Sequence, residues 1–135
     1  MQSVYEMVSG HRRQRACQLA SIQTMPVIVR QLDRDEATIS MVDANLKREN
    51  STPLEKARAY SMKLEAMKRK AGRRSKAEIL SGEKPMRADE QLSQQTGESR
   101  ANIQKITRLT KLEPELQKMV DEKKLPVHTA AEFPI

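Results

Sequence analysis

Three stretches of this chain carry residue types whose spacing could do chemistry. The first is Gly10-His11-Arg12-Arg13-Gln14-Arg15, which follows a short alternating segment and opens a helix. Backbone N–H groups at a helix start attract anions, and the forked guanidinium groups of Arg12, Arg13 and Arg15 add charge, so the chemistry on offer is phosphate binding. The same residues would equally form a solvated basic turn, and the motif alone does not decide. The second stretch is Asp43-Ala44-Asn45-Leu46-Lys47-Arg48. Asn45 and Arg48 are three apart and share a helix face. An amide oxygen can complete a Mg²⁺ shell while a neighbouring Arg grips phosphate, although from these residues alone a polar helix end is the better-supported reading.

The third stretch, Ala88 to Leu109, has the pattern of a helix-turn-helix. Two helices crossing steeply need a small residue where they approach, supplied by Ser93, and a tight turn that accepts positive φ, supplied by Gly97. Leu92, Ile103, Ile106 and Leu109 would lock the second helix onto the first, and Ser99 is placed to cap it. That leaves Arg100, Asn102, Gln104 and Lys105 outward. Arg can pair with guanine, Asn or Gln with adenine, and Lys with phosphate or guanine, so Ser99, Arg100, Asn102, Gln104 and Lys105 are the candidate contacts to double-stranded DNA. An ordinary helical hairpin with a polar outer face is the competing interpretation.

The elements that must position these motifs follow from periodicity. Residues 3–8 alternate and predict a short strand ended by Ser9-Gly10. Residues 11–21 predict a helix with Ala16, Leu19 and Ala20 inward and Cys17 beside them. Residues 26–32, Pro-Val-Ile-Val-Arg-Gln-Leu, are β-branched and short, with Pro26 at a first strand position. Strand, helix and strand together predict a small βαβ unit. From Asp33 the pattern is helical, with Ala37, Ile39, Met41, Val42 and Leu46 along one broad side of 34–47. Thr52-Pro53-Leu54-Glu55 is a strong helix start, with a capping Thr, a Pro at the first position and a Glu to close a capping box. The helix it opens places Ala57, Tyr60, Ser61, Leu64 and Met67 on one face.

Residues 63–76 hold seven basic residues against Glu65. Gly72, Ser75, Ser81, Gly82 and Pro85 then mark a loop or connector, for which a solvated linker and direct phosphate contact are equally good readings. Helices are predicted at 87–96, 99–110 and 113–123, followed by a short, weakly apolar tail. The expected fold class is α+β, mostly α: a truncated βαβ N-terminal lobe over residues 1–50, a connecting helix and basic linker over 51–86, and an all-helical helix-turn-helix lobe over 87–135.

Composition bounds these options. Lys and Arg number 25 against 18 acidic residues, a net charge of +7, and the isoelectric point is about 9.8. Such a balance favours a polyanionic partner, because each neutralised phosphate releases condensed counterions. One cysteine cannot form an intrachain disulfide, which fits a reducing cytoplasm. No apolar run approaches the ~20 residues of a membrane helix, and the first residues lack the basic and apolar regions of a signal peptide. A cytoplasmic protein without membrane contact is expected.

The motifs, in this order, resemble those of the ParB/Spo0J/Noc family of chromosome and plasmid partition proteins. Tyr5 through Ala16 looks like the family's strand plus its Gly-Glu-Arg-Arg-x-Arg-Ala motif. Pro26-Val27-Ile28-Val29-Arg30 looks like the next strand, and Asn45 through Tyr60 looks like a Glu-Asn-x-x-Arg motif followed by a Ser/Thr-Pro-x-Glu-x-Ala helix. Gly97-Glu98-Ser99-Arg100 looks like the start of the DNA-reading element. The resemblance implies that Gly10, Arg12, Arg13, Asn45 and Arg48 contact the nucleotide CTP, with Asn45 also at the Mg²⁺. It implies that nucleotide lets two subunits close as a clamp on a centromere-like duplex. It further implies a homodimer in the full-length protein, a ParA-type ATPase as partner, association with the nucleoid, and roles in partition or nucleoid occlusion.

Two departures modify these expectations. Ala44 stands where the family has Glu. A methyl group neither ligates Mg²⁺ nor orients water, and Asp43 lies about 100° away around the helix, so CTP hydrolysis is expected to be weak or absent. His11 replaces the Glu of the Arg-rich motif. The chain is further expected to begin inside the family's N-terminal domain, without its upstream strand and ParA-binding segment, and to lack the C-terminal dimerisation domain. The basic stretch at 68–86 resembles element-borne members of the family. A ParB-like nuclease ranks low, since His11 and His128 are the only histidines and no carboxylates cluster for two metals. A helical module binding an acidic protein is the remaining alternative.

Overall fold

A computed structural model describes residues 4–72, 76–82 and 84–135. Its elements are α1 (His11–Leu19), α2 (Arg34–Leu46), α3 (Pro53–Gly72), α4 (Lys76–Leu80), α5 (Ala88–Thr96), α6 (Arg100–Arg108), α7 (Pro114–Asp121) and α8 (Val127–Ala130), with a 3₁₀ turn at Leu109–Lys111. Arg73 and Arg74 of the basic stretch, Ser75 of the expected connector loop, and Ser3 at the start of the first expected strand lie outside the described residues.

Local chemistry starts the two long N-terminal helices. Asp33 Oδ1 accepts from the Glu36 N–H at 2.8 Å, and Glu36 Oε2 accepts from the Asp33 N–H at 3.1 Å. This reciprocal box was overlooked in the residue pattern, although Asp-x-x-Glu announces it. Before α3, Thr52 Oγ1 accepts from the Glu55 N–H at 3.2 Å and Glu55 Oε2 accepts from the Thr52 N–H at 2.9 Å, the box expected there. The Leu54 N–H, another donor without a partner inside its own helix, reaches Asp121 Oδ1 of α7 at 3.2 Å.

The helix expected to be a connector sits at the centre. Leu54, Ala57 and Tyr60 of α3 pack with Leu92 of α5, Ile103 and Ile106 of α6, Leu109, Leu112, Val120 of α7 and Ala130 of α8 in one core. On its other side α3 runs antiparallel to α2, joined by Lys63–Asp43 at 2.5 Å, Arg69–Asp35 at 2.9 Å and Lys70–Glu36 at 2.6 Å. Val42 is the buried apolar residue of α2, whereas Ala37, Ile39, Met41 and Leu46 are only half-buried. Lys63 is buried on the face of α3 that carries Ala57, Tyr60 and Met67, its aliphatic stem covering core while its ammonium reaches Asp43 and Gln95.

The expected βαβ lobe does not form. Among the described residues no strand is present: 4–8 and 22–33 run without a backbone ladder to any neighbour. Val27, Ile28 and Val29 are 64, 85 and 61% exposed. β-Branched alternation makes a segment fit to pair, but a strand exists only when another backbone lies alongside to share its hydrogen bonds. The intervening helix forms as α1, yet it buries no residue, and Leu19, expected inward, is 72% exposed because no sheet among the described residues covers it. The connector, expected to be loop, contains the short α4, and the tail contains α8, whose Ala130 is buried.

Candidate nucleic-acid interface

Gly97 makes the sharp corner between α5 and α6. Its φ of 75° is the left-handed conformation that glycine adopts without a Cβ clash, and its N–H bonds the Ser93 carbonyl at 2.9 Å. Ser93 does more than stay small. Its hydroxyl donates to the Glu98 carbonyl at 2.7 Å, tying the last turn of α5 to the start of α6. Thr96 Oγ1 donates to the Leu92 carbonyl at 2.8 Å and accepts from the Glu98 N–H at 3.3 Å. Ser99 Oγ then accepts from the Asn102 N–H at 3.2 Å, capping α6. Leu92, Ile103 and Leu109, each 0% exposed, lock the second helix on the first.

With Ile103 and Ile106 inward, the opposite strip of α6 is Ala101, Gln104, Lys105 and Arg108, all exposed. Gln104 and Lys105 therefore stand where the residue pattern placed them. Ala101 and Arg108 belong to the same strip and were missed. The 100° step per residue from Ile103 and Ile106 would have found both. Arg108 Nη2 donates to the Phe133 carbonyl at 3.3 Å, so the tail touches the far end of this strip.

Arg100 and Asn102 flank the strip and are held by carboxylates of the motif itself. Arg100 Nε and Nη2 donate to Asp89 Oδ2 at 3.1 and 3.0 Å. Partial burial pushes the Asp89 carboxyl upward, but hydrogen bonds and charge from Arg100, with Arg87 and the Glu90 N–H, outweigh it and hold its pKa below 3.8. Asn102 Nδ2 donates to Glu98 Oε2 at 3.0 Å. Glu98 Oε1 pairs with Lys56 of α3, whose ammonium lies 5.5 Å from the Tyr60 ring centroid. Burial lowers the Lys56 ammonium, yet the Glu98 carboxylate more than offsets this and its pKa rises above 10.5. Through Glu98 the turn is thus anchored to the core helix as well as to α6.

The chain's positive charge is unevenly placed. Residues 51–86 hold ten basic residues against four acidic, whereas 87–135 hold eight of each. The candidate reading helix therefore sits on an electrically balanced lobe. The excess lies on α3 and the segment after it, where Lys68, Arg69, Lys70, Lys76 and Lys84 are exposed.

The candidate nucleotide residues are spread over separate elements. Gly10, with φ 96°, precedes α1 in the left-handed conformation, and Arg12 and Arg13 are exposed in its first turn. Asn45 is exposed near the end of α2, and Arg48 is exposed just past it. Arg48 lines a cleft of about 730 Å³ with Lys47, Lys56, Thr96 and Glu98, but Gly10, Arg12, Arg13 and Asn45 do not. Among the described residues no group of three or more His, Cys, Asp or Glu could hold a metal ion. No helix among them is long and apolar enough to cross a membrane.

A Gly-cornered helix pair, its second helix capped and displaying a polar strip, defines a helix-turn-helix protein. Comparison with known proteins goes further. Residues 1–46 match the ParB N-terminal domain and residues 83–132 the ParB HTH domain. A probable chromosome-partitioning protein ParB from Treponema pallidum (strain Nichols) is 34% identical over 119 residues, covering 88% of this chain and 31% of the relative. The stage 0 sporulation protein J of Bacillus subtilis (strain 168) is 32% identical over 118 residues, covering 87% of this chain and 36% of the relative. The chromosome-partitioning protein Spo0J of Thermus thermophilus is 31% identical over 112 residues, 82% of this chain and 34% of the relative. This chain belongs to the ParB family and carries its helix-turn-helix domain. It spans about a third of the length of these relatives. No solved structure matches it at the same stringency.

Proposed function

We propose that this chain binds a specific double-stranded DNA site by placing α6 in the major groove, as the DNA-reading part of a partition protein. The observation that carries this is the exposed strip Ala101, Gln104, Lys105 and Arg108, flanked by Arg100 and Asn102, on a helix whose other side is locked by Ile103 and Ile106. A small methyl, an amide and cations on one helix face are the groups that meet thymine methyls, adenine edges, guanine edges and phosphates. The exposed cations of α3 and the connector supply non-specific attraction. Duplex binding by the 135-residue chain, measured across salt concentrations, tests this. The expected result is log K falling by about 0.9 per phosphate neutralised, with a sequence preference that persists at higher salt. Salt-insensitive binding, or identical affinity for every duplex, would overturn it.

CTP recognition at Gly10, Arg12, Arg13, Asn45 and Arg48 is a finer proposal. The left-handed Gly10 at the head of α1, followed by two exposed arginines, suits a triphosphate. The metal half fits less well, with Ala44 beside Asn45. When bound, CTP would supply a triphosphate whose charge Arg12, Arg13 and Arg48 would hold. Titration calorimetry of CTP with and without Mg²⁺ checks this, and an absence of heat in both would end it. Clamp closure, pairing with a second subunit, a ParA-type partner and nucleoid occlusion are consequences proposed for the whole protein.

A further inference from the structure

Among the polar residues of α6, Arg100 is the best equipped to discriminate bases, because a guanidinium can pair bidentately with guanine O6 and N7. We propose that Asp89 is a positioning residue for it: the carboxylate fixes which edge of Arg100 faces the groove, and so selects guanine at the base pair Arg100 meets. This rests on the placement of α6 in the groove proposed above.

The geometry is asymmetric in a useful way. Arg100 Nε and Nη2, the side edge of the guanidinium, both point at Asp89 Oδ2, at 3.1 and 3.0 Å. The end edge, Nη1 with Nη2, keeps two parallel donors for an outside acceptor pair. The side chain of Asp89 is 14% exposed and that of Arg100 42%, so the acid lies beneath and the base projects. Asp89 is itself held, with Oδ1 accepting from the Glu90 N–H at 3.1 Å and facing Arg87 Nε at 3.4 Å. The two residues lie in the first turns of α5 and α6, which Gly97 and the Ser93–Glu98 bond tie together. A long side chain that would otherwise sample many rotamers is thus ordered before DNA arrives, which lowers the entropic cost of binding. The carboxylate also brings negative charge toward the phosphates, trading non-specific affinity for discrimination.

The test is to enrich duplexes from a random-sequence pool with the 135-residue chain. Anisotropy then measures Kd on the enriched duplex, on single base-pair substitutions of it, and on a scrambled duplex. Arg100→Ala should erase the preference at one G·C pair, by about tenfold. Asp89→Ala should narrow that same preference by about fivefold, while binding the scrambled duplex about twice as tightly at low salt. Asp89→Asn, whose amide oxygen still accepts from Arg100, should recover part of the preference. Improved scrambled binding doubles as the folding control, since an unfolded variant would lose affinity for every duplex. Wild-type discrimination at that pair in Asp89→Ala, or equal loss on all duplexes, overturns the proposal. Failure of the wild-type chain to enrich any sequence would instead overturn the groove placement of α6, and this inference with it.

Discussion

Lys63 offers the most discriminating test of how this fold is held. It is 3% exposed, yet its two acceptors sit at the surface: the Asp43 side chain is 44% exposed and Gln95 is exposed. The ammonium bonds Asp43 Oδ1 at 2.5 Å and Gln95 Oε1 at 2.6 Å. Removing the charge while keeping the stem leaves no buried orphan, because water reaches both acceptors. Lys63→Met should therefore change unfolding free energy by no more than about 1 kcal/mol, of either sign. Lys63→Ala deletes three buried methylenes at about 0.8 kcal/mol each and leaves a void, costing roughly 2–4 kcal/mol. Asp43→Ala does the reverse of Lys63→Met, stripping the counter-charge from a buried ammonium that keeps only Gln95, and should cost about 3 kcal/mol. Urea unfolding followed by circular dichroism gives all three, provided the m-value stays constant. If Lys63→Met proves as damaging as Lys63→Ala, the ion pair itself holds α2 to α3, and the stem-burial account is refuted.

Two further outcomes follow from the turn and its ion pairs. Gly97→Ala should destabilise the chain by about 1–2 kcal/mol, a purely conformational cost, since φ is 75° and a Cβ there would meet nothing within 4 Å. Gly97→Asn should cost less, because Asn tolerates that conformation, and thermal melts of both variants would check the order. The depressed carboxyl of Asp89 predicts stability that is present above its ordinary value of 3.8 and lost as pH falls through the lower folded-state value. Melting curves between about pH 2 and 6 should accordingly show a shallower acid limb in Asp89→Asn than in the wild type.

Much of the helical half could be read from residue order, because its determinants are local. Thr52-Pro53-Leu54-Glu55 builds its cap from side chains within four residues. Gly97 suits the left-handed corner between α5 and α6 because it has no Cβ, and the spacing of Leu92, Ile103, Ile106 and Leu109 follows from 3.6 residues per turn. The order of the motifs sufficed to mark the family. What stayed hidden depends on groups distant in the chain. The segments around Val4 and Val27 have strand composition, but among the described residues no backbone pairs with them, and composition does not announce whether a neighbour lies alongside. Lys63 reads as one more cation in a basic run until α2 and α5 bring Asp43 and Gln95 to it. Arg100 reads as a free reader until the crossing of α5 and α6 puts Asp89 under it. Residue types and spacing determined the helices and the corner. The choice of which charges are buried, paired or left facing solvent was made only when the helices packed, because Coulombic and hydrogen-bonding partners are set by distance in space.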